Sequence, residues 1–430
     1  MSAPSHNAST EDPTQPMRPP AFAWWKTAPR SAKQALVAAS LGWMLDSFDV
    51  MLYSLVLASL IADLHLSKAA AGTLGSITLL AAAVGGFFFG IIADRFGRTR
   101  ALMASVLIYA IFTAACGLAQ NFVQLAVFRI VLGIGMGGEW ASGASLVSET
   151  WPAEHRGKAL GFMQSSWAIG YALAALVAAV VMPIAGWRAV FFVGVLPAFF
   201  TLWIRRSVEE PEIWKNTRNT ASSAMGGVAE LFRGKLLPLT IVLTLMNACC
   251  LFAWWGFNLW VPAYLSLPIS QGGVGLTSTA MSAVVIVMQI GMWLGYVTFG
   301  FVGDAIGRKR TYVTYLLAAS ALLLLYGTTR TPLVLLILGP FVAFFGTGYY
   351  SGFAAVTAEI YNTRIRSTAQ GFTYNTGRIA SAVAPFTVGS LAQKHGFGAA
   401  FAIGALSFLL AAFFWIWIPE TKGRQQLADI

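Results

Sequence analysis

Apolar runs of 18 or more residues recur along the whole of this chain, and each is long enough to cross a bilayer as a helix. Hydrophobic residues make up 57% of the 430 residues, and charged residues make up only 10%. A soluble domain carries roughly 25% charged residues. These features together predict an all-α membrane protein that crosses the bilayer many times.

We predict twelve membrane-spanning helices in two bundles of six, at 35–205 and 235–418, joined by a polar cytoplasmic linker at 206–234. Residues 1–34 are polar and rich in Pro and Ser, so they are predicted to form a disordered cytoplasmic tail. Residues 419–430 form a second cytoplasmic tail. The predicted spans are 35–62, 70–93, 99–119, 122–148, 157–181, 186–205, 235–267, 275–302, 309–327, 332–360, 366–394 and 397–418.

Lysine and arginine are distributed unevenly between the two sides of this predicted topology. With both termini in the cytoplasm, 22 of the 28 basic residues fall in cytoplasmic segments and four in outer loops. This asymmetry follows the positive-inside rule and sets the predicted orientation. It also accounts for the net charge of +11, so that charge gives no reason to expect a nucleic-acid partner. We therefore predict a multi-pass protein of the cell (inner) membrane.

The two halves of the sequence repeat each other at a constant offset of 210 positions. GIIADRFGRTR at 90–100 matches GFVGDAIGRKR at 300–310, and SETWPAEHRGKALG at 148–161 matches AEIYNTRIRSTAQG at 358–371. Two helical bundles related by such a repeat are typical of secondary transporters, whose substrate site lies between the halves near the middle of the membrane.

Several motifs resemble those of the major facilitator superfamily. GIIADRFGRTR resembles the signature that follows its second span, and RIVLG at 129–133 resembles its R-x-x-x-G motif. PETKGR at 419–424 resembles the C-terminal motif of the sugar porters. The resemblance covers residues 35 to 424, and it implies two pseudo-symmetric six-helix bundles that work by alternating access.

Three further stretches resemble particular groups within the superfamily. LDSFDVMLYSLVL at 45–57 is similar to the aromatic-acid and sialic-acid proton symporters. GIGMGGEWASGASLVSETWP at 133–152 and YNTGR at 374–378 are similar to the sialate and lactate-type monocarboxylate permeases, and the former also to the metabolite:proton symporters. The resemblance implies symport of a small organic anion with protons.

Five ionisable residues lie inside the predicted spans, where a charge is costly and usually functional. Asp46 and Asp49 share one helix face, and close buried carboxylates can take up and release a proton. The resemblance implies that Asp49 and Arg129 form the proton-coupling pair, or else a static salt bridge. Asp46 is either a second proton site or part of a polar network. Glu139 is either a proton site or a packed carboxyl bonded to a neighbouring helix.

Arg378, the fifth of these residues, has no acidic neighbour in its own span and corresponds to Ala168 in the repeat. We predict that it binds a substrate carboxylate, because guanidinium and carboxylate match as a two-pronged pair. The alternative is an internal pair with an acid of the first half or with carbonyl groups. Polar side chains that are candidates for lining the same cavity are Tyr374, Asn375, Asn247, Asn258, Gln289, Gln164 and Tyr349.

The tryptophans of the fifth and seventh predicted spans are interpreted differently from these polar residues. We expect Trp167, Trp254 and Trp255 either to pack inside the protein or to face lipid near the membrane surface.

Matched charges at the inner ends of the helices are predicted to form gating clusters that close the inner face in the outward-facing state. The alternative is that the cations only set the topology, although topology does not need the matched acids. The predicted members are Asp94, Arg98, Glu149 and Arg156 in the first half, and Asp304, Arg308, Glu359 and Arg366 in the second.

The sequence as a whole predicts proton-coupled uptake of a small organic anion, such as a monocarboxylate. Alternatives are a neutral or zwitterionic solute such as a sugar, a sialic or aromatic acid, and a non-transporting receptor on the same fold. We find no nucleotide loop, metal-ligand spacing or nucleophile motif in the sequence, so we predict neither an enzyme nor a cofactor. The expected partners are the anion, protons and the lipid bilayer, and the chain is expected to act as a monomer.

Overall fold

The computed structural model describes residues 25–26, 28–207, 230–234, 236–361 and 365–421. Most of the predicted N-terminal tail and of the linker therefore lies outside the described residues. The described chain is helical, and its principal helices are α1 (Arg30–Asp63), α2 (Lys68–Phe96), α3 (Arg98–Cys116), α4 (Phe122–Thr150), α5 (Ala153–Val193), α6 (Pro197–Ser207), α7 (Leu236–Ser266), α8 (Ser278–Ile306), α9 (Arg308–Thr328), α10 (Pro332–Thr347), α11 (Tyr349–Ile360), α12 (Arg366–Ser381) and α13 (Ala384–Phe414). A short 3₁₀ turn, Ile269–Gln271, follows α7.

Ten stretches of the described residues are long and apolar enough to cross a membrane. Two of them, Lys158–Thr201 and Ala369–Phe414, contain 44 and 46 residues. A helix of that length extends about 65 Å, roughly twice the hydrocarbon thickness. Each is kinked at a glycine with positive φ, Gly186 at 74° and Gly396 at 81°. The predicted boundaries between spans five and six, and between eleven and twelve, fall at these glycines.

The repeat of 210 positions is visible in the ends of the helices. Helices α2 and α8 begin and end 210 positions apart. The Ser67 hydroxyl accepts a hydrogen bond from the backbone of Ala70 and caps α2, and Thr277 caps α8 in the same way. Both helices end at a glycine with positive φ, Gly97 at 115° and Gly307 at 102°, a conformation that glycine adopts without steric cost. The two halves therefore share their architecture as well as their motifs.

Glycines allow the helices within each half to pack at close range. A Cβ atom on Gly85 of α2 would overlap the carbonyl oxygen of Ile134 in α4. At the matching position in the second half, a Cβ atom on Gly295 of α8 would overlap the carbonyl oxygen of Phe344 in α10. Small residues at such crossings bring helix backbones together inside membranes, where lipid gives no hydrophobic drive for association.

The two halves contact each other through α1 with α7, α2 with α13, and α5 with α8. Several hydrogen bonds join them at the end of the bundle that carries the 64–67 and 267–277 connections, which we call the closed end. Ser54 Oγ donates to the carbonyl of Leu259 at 2.7 Å, and the backbone amide of Phe386 donates to Ser76 Oγ at 3.1 Å. The opposite end carries the cations that begin α3 and α9, and we call it the basic end.

Alanine at Gly85 or at Gly295 is expected to destabilise the protein by about 1–3 kcal/mol, because the added methyl group overlaps a backbone carbonyl of the neighbouring helix. The matched control is Gly90→Ala, where a Cβ atom meets no heavy atom within 4 Å. Thermal unfolding in detergent measures the effect. A melting temperature that falls equally in all three variants would contradict this account of the packing.

Candidate functional site

The charged side chains buried within the described helices are the five that the sequence places inside spans. Their exposed fractions range from 0% to 4%. Four of them, three acids and one arginine, belong to the first half, and Arg378 alone belongs to the second. Three acids therefore share the interior with two permanent cations. The five are Asp46, Asp49, Arg129, Glu139 and Arg378.

Arg378 lies in the last turn of α12, and its closest acidic counterpart stands across the interface between the halves. Its charge acts on the carboxylate of Asp46 in α1. Among the described residues, no carboxylate oxygen lies within 4.0 Å of the Arg378 guanidinium. Both oxygens of Asp46 are buried without a hydrogen-bond partner in the described part of the chain. The two charges face each other across the interface without forming an ion pair.

The predicted ion pair between Asp49 and Arg129 is not formed in this structure. The Arg129 Cζ atom lies 3.7 Å from the centroid of the Tyr53 ring, and its Nε donates to Thr78 Oγ1 at 2.8 Å. Tyr53 follows Asp49 by one helical turn on α1, so the ring takes the place of the expected carboxylate. An aromatic face attracts a desolvated cation, although it does not neutralise it.

Asp49 instead lies on the side of α1 that faces α3 and the residue that ends α5. A Cβ atom on Gly194 would lie 3.0 Å from Asp49 Oδ1 and would overlap the side chain of Thr113. Glycine at this position thus makes room for the carboxylate.

Glu139 is buried between α4 and α1. A Cβ atom on Gly42 of α1 would lie 2.6 Å from Glu139 Oε1, so the carboxylate reaches α1 because that residue is glycine. Neither carboxylate oxygen of Glu139 has a hydrogen-bond partner among the described residues. The predicted alternative of a carboxyl bonded to a neighbouring helix is therefore not what the structure shows. The nearest acid is Asp46, whose charge acts on Glu139.

A row of tryptophan rings begins one turn from Asp46 on α1 and extends across the interface between the two halves. The ring centroids of Trp43 and Trp167 lie 4.7 Å apart, and those of Trp167 and Trp255 lie 5.9 Å apart, in different halves. Trp167, Trp254 and Trp255 are all buried, so the packing interpretation is confirmed and the lipid-facing one is wrong.

Two of the predicted polar side chains, on α5 and α12, lie near the interface, and a third is buried on α8. Gln164 lies beside the Tyr296 hydroxyl of the other half. Tyr374 precedes Arg378 by one turn and lies within range of its charge. Gln289 donates to the carbonyl of Val285 at 3.1 Å, and its Oε1 atom has no partner in the described chain.

The remaining predicted cavity residues are engaged in other contacts. The Asn247 amide donates to a carbonyl of α12 at 3.3 Å, and the Tyr349 hydroxyl donates to a carbonyl of α7 at 3.0 Å. Asn258 lies at the closed end, where its carbonyl accepts from Ser54 at 3.1 Å. Asn375 is exposed and donates to a carbonyl of its own helix at 2.9 Å. These side chains join helices or lie outside the interface, and they do not converge on Arg378.

The predicted gating residues pair within each half at the basic end. Arg98 Nη2 lies 2.9 Å from Glu149 Oε1. At the matching position, Arg308 Nη2 lies 3.2 Å from Glu359 Oε1 and 2.8 Å from Asp304 Oδ1. The first pair links the start of α3 to the end of α4, and the second links the start of α9 to the end of α11. The side chains of the other predicted members, Asp94, Arg156 and Arg366, lie outside the described part of the structure.

Sequence reasoning missed residues that complete these sites. Glu420 accepts hydrogen bonds from the first backbone amides of α9, at 2.8 Å from Arg308, although PETKGR had marked its position. Tyr53 lies four residues after Asp49, and Trp43 lies three residues before Asp46. Helical spacing from the two acids along α1 was therefore the available signal for both aromatic residues.

Comparison with known proteins agrees with this architecture. The model of the Major Facilitator Superfamily matches residues 39–297 and 265–429. The chain belongs to the major facilitator superfamily. It is thus a multi-pass membrane transporter, and the prediction of the family and of the membrane location is confirmed.

Individual relatives and structures are similar to this transporter over nearly its whole length. It is 33% identical over 400 residues to the cis,cis-muconate transport protein of Acinetobacter baylyi, covering 91% of this chain and 95% of that one. It is 32% identical over 415 residues to a probable 4-methylmuconolactone transporter of Cupriavidus pinatubonensis, covering 94% of both chains. Its fold is similar to the xylose transporter XylE from E. coli in a partially occluded inward open conformation, with a TM-score of 0.75, 20% identity and coverage of 92% of this chain and all of that one.

A disulfide across the closed end tests alternating access, a mechanism that requires this contact to separate, and the disulfide is expected to stop transport. Ser76→Cys combined with Phe386→Cys, in a variant without the native cysteines, puts one thiol in place of the Ser76 hydroxyl and the other on the residue whose backbone amide donates to that hydroxyl. Oxidation should cross-link the pair and abolish uptake, and reduction should restore it. The single-cysteine variants serve as controls. Full uptake by completely cross-linked protein would contradict closure at this end.

Proposed function

We propose that this transporter takes up a small organic anion together with protons, by alternating access. The observation that carries the proposal is the geometry of Arg378, a buried guanidinium at the interface between the halves without an ion-pair partner among the described residues. A permanent charge near mid-membrane needs a counter-ion, and an arriving carboxylate supplies one. Two N–H groups of the guanidinium match the two oxygens of a carboxylate.

We further propose twelve crossings, with both termini and the basic end in the cytoplasm. The kinks at Gly186 and Gly396 support division of the two longest stretches into two crossings each. The distribution of lysine and arginine supports the orientation. On this orientation the closed end faces outward, and the structure represents the inward-facing conformation.

The aromatic side chains that bridge the two halves favour an anion with a flat, unsaturated body. Trp43, Trp167 and Trp255 offer aromatic faces at the same level as Asp46. Trp167 Nε1 and Gln289 Oε1 are polar atoms without partners in the described chain, and they offer one donor and one acceptor to the ligand. The relatives that carry muconate and methylmuconolactone in their names are consistent with such a substrate class.

Asp46 is the group that best links anion binding to proton binding. In the empty site its carboxylate is the nearest counter-charge to Arg378. When a substrate carboxylate binds Arg378, Asp46 loses that compensation, and an isolated buried carboxylate is strongly disfavoured. Asp46 therefore takes up a proton as the anion binds. Since one negative charge replaces another inside the protein, a monoanion is carried with one proton and no net charge moves.

A second candidate function is transport of a neutral solute such as a sugar. The position of Asp46 opposite Arg378 favours it, because a small shift of either side chain would form an internal ion pair. On that alternative the pair persists during transport, and the solute binds to Gln164, Gln289 and the tryptophan faces. The two candidate functions differ in the role of Arg378, which binds the substrate in the first and only an internal acid in the second.

Replacing Arg378 tests anion binding directly. Arg378→Lys keeps the charge but loses the two-pronged geometry, so we expect the affinity for muconate or benzoate to fall at least about tenfold. Arg378→Ala should abolish measurable binding, and the exposed control Arg330→Lys should have no effect. Isothermal titration of the purified variants provides the measurement. Unchanged anion affinity in Arg378→Ala would rule out the anion site and leave the neutral solute.

Replacing Asp46 tests proton coupling. In proteoliposomes, Asp46→Asn should retain exchange of internal for external labelled anion, because the amide imitates the protonated acid. It should lose accumulation driven by a pH gradient, because the amide cannot release a proton. Wild-type accumulation of a monoanion should not change when a potassium gradient with valinomycin sets the membrane potential. Gradient-driven accumulation by Asp46→Asn would remove Asp46 from the coupling step.

A further inference from the structure

Buried polar atoms without hydrogen-bond partners are concentrated in the first half of the described chain. Six of the residues that carry them lie on facing parts of three helices, and we call them the polar file. Unpaired polar groups of this kind are exceptional inside proteins, and ordered water usually meets them. The members of the polar file are Asp46 and Asp49 on α1, Tyr109 and Thr113 on α3, and Glu139 and Ser142 on α4, and the Thr113 side chain lies beside that of Asp49.

The spacing within the polar file gives it a direction. Each pair is three or four residues apart, so its members share one face of their helix. Going toward the basic end, Asp49 is followed by Asp46, Thr113 by Tyr109 and Glu139 by Ser142. Ser142 lies eight residues before the end of α4 at Thr150, a rise of about 12 Å.

Tyr109 stands at the centre of the polar file. Its hydroxyl is fully buried, has no partner among the described residues, and is acted on by the charges of Asp46, Asp49 and Glu139 together. A phenol can accept a hydrogen bond from one neighbour while donating one to another. The other charged or titratable groups that face the polar file are Arg378, across the interface from Asp46, and Arg129, Tyr53 and Cys116 near Asp49.

The second half provides a comparison within the same chain. At the positions 210 residues later, the same fold carries Gly256, Leu259, Ala319, Leu323, Tyr349 and Gly352. None of these six is an acid, and the hydroxyl of Tyr349 is already bonded to a carbonyl. The fold therefore does not require polar groups at these positions, so the polar file serves a purpose confined to the first half.

We propose that the polar file is a proton pathway that connects Asp46 with the basic end through Tyr109 and Glu139, inside the first half and apart from the anion's route past Arg378. This inference rests on the proposed proton coupling and extends it. As the anion leaves, Asp46 gives its proton to a bridging water. Glu139 releases its own proton toward the basic end, and Tyr109 and water pass the proton from Asp46 to the Glu139 carboxylate that results. Asp46 is then again the counter-charge of Arg378.

Removing single relay groups tests the pathway in proteoliposomes. Tyr109→Phe and Glu139→Gln should each lower the initial rate of uptake driven by a pH gradient about a hundredfold, the low end of the range for lost proton-transfer groups. Exchange of labelled anion should be retained, since exchange needs no proton release. The matched control is Tyr326→Phe, which deletes the hydroxyl group of another buried tyrosine, on α9, the counterpart of α3. It should leave both activities unchanged.

A second measurement does not depend on transport. Infrared difference spectra after a pH jump should show the carbonyl stretch of protonated carboxyl groups, and Glu139→Gln should lack one of these bands. Tyr109→Phe should keep the bands but slow their appearance. If Glu139→Gln fails to fold, Tyr109→Phe still tests the pathway, because it deletes one buried oxygen and keeps the ring.

The outcomes separate this inference from the proposed function. Absence of gradient-driven uptake in the wild type would overturn the proposed proton coupling itself. Normal gradient-driven uptake in both Tyr109→Phe and Glu139→Gln, with wild-type coupling intact, would overturn only the pathway. Equal loss of uptake and exchange would also overturn it, since that result indicates a structural role for these residues.

Discussion

An arginine held between two helical bundles inside a membrane is the constraint on which the rest of this transporter depends. Arg378 cannot discharge by losing a proton, so a negative charge has to accompany it in every state of the cycle. Asp46 stands opposite at a distance that is too long for an ion pair. The protein thus keeps the Asp46 carboxylate near the Arg378 guanidinium without an ion pair between them, and a substrate carboxylate is able to compete for the guanidinium.

The scaffold around this site is symmetric, and its chemistry is not. Helix ends, caps, kinks and close crossings of the first half recur in the second half 210 residues later. The ion pair of Arg98 with Glu149 recurs in the same way as that of Arg308 with Glu359. Among the described residues, the buried acids are confined to the first half, and the candidate anion-binding cation lies in the second. Because of this division, the acids that can bind protons face the cation that can bind the anion across the interface. Motion of one half against the other changes the distance between these groups.

Several features of the fold follow directly from local sequence. The ends of α2 and α8 are set by Ser67, Thr277, Gly97 and Gly307, whose capping and backbone preferences act within a few residues. The kinks at Gly186 and Gly396 fall where the predicted spans divide. The five buried charges were also identifiable, because a membrane span contains few ionisable residues and each is conspicuous. Membership of the family followed from short motifs at helix ends and inside one helix.

The partners of those charges were not determined by the sequence. Arg129 was expected to pair with Asp49, yet Tyr53, one turn further along α1, lies against the guanidinium. Glu139 reaches α1 only because Gly42 leaves room for it. The sequence by itself determined which residues carry charge into the membrane and which helices they occupy, since hydropathy and capping are local. Only the tertiary structure decided which charges face one another, because that depends on the rotation and close approach of helices far apart in the chain.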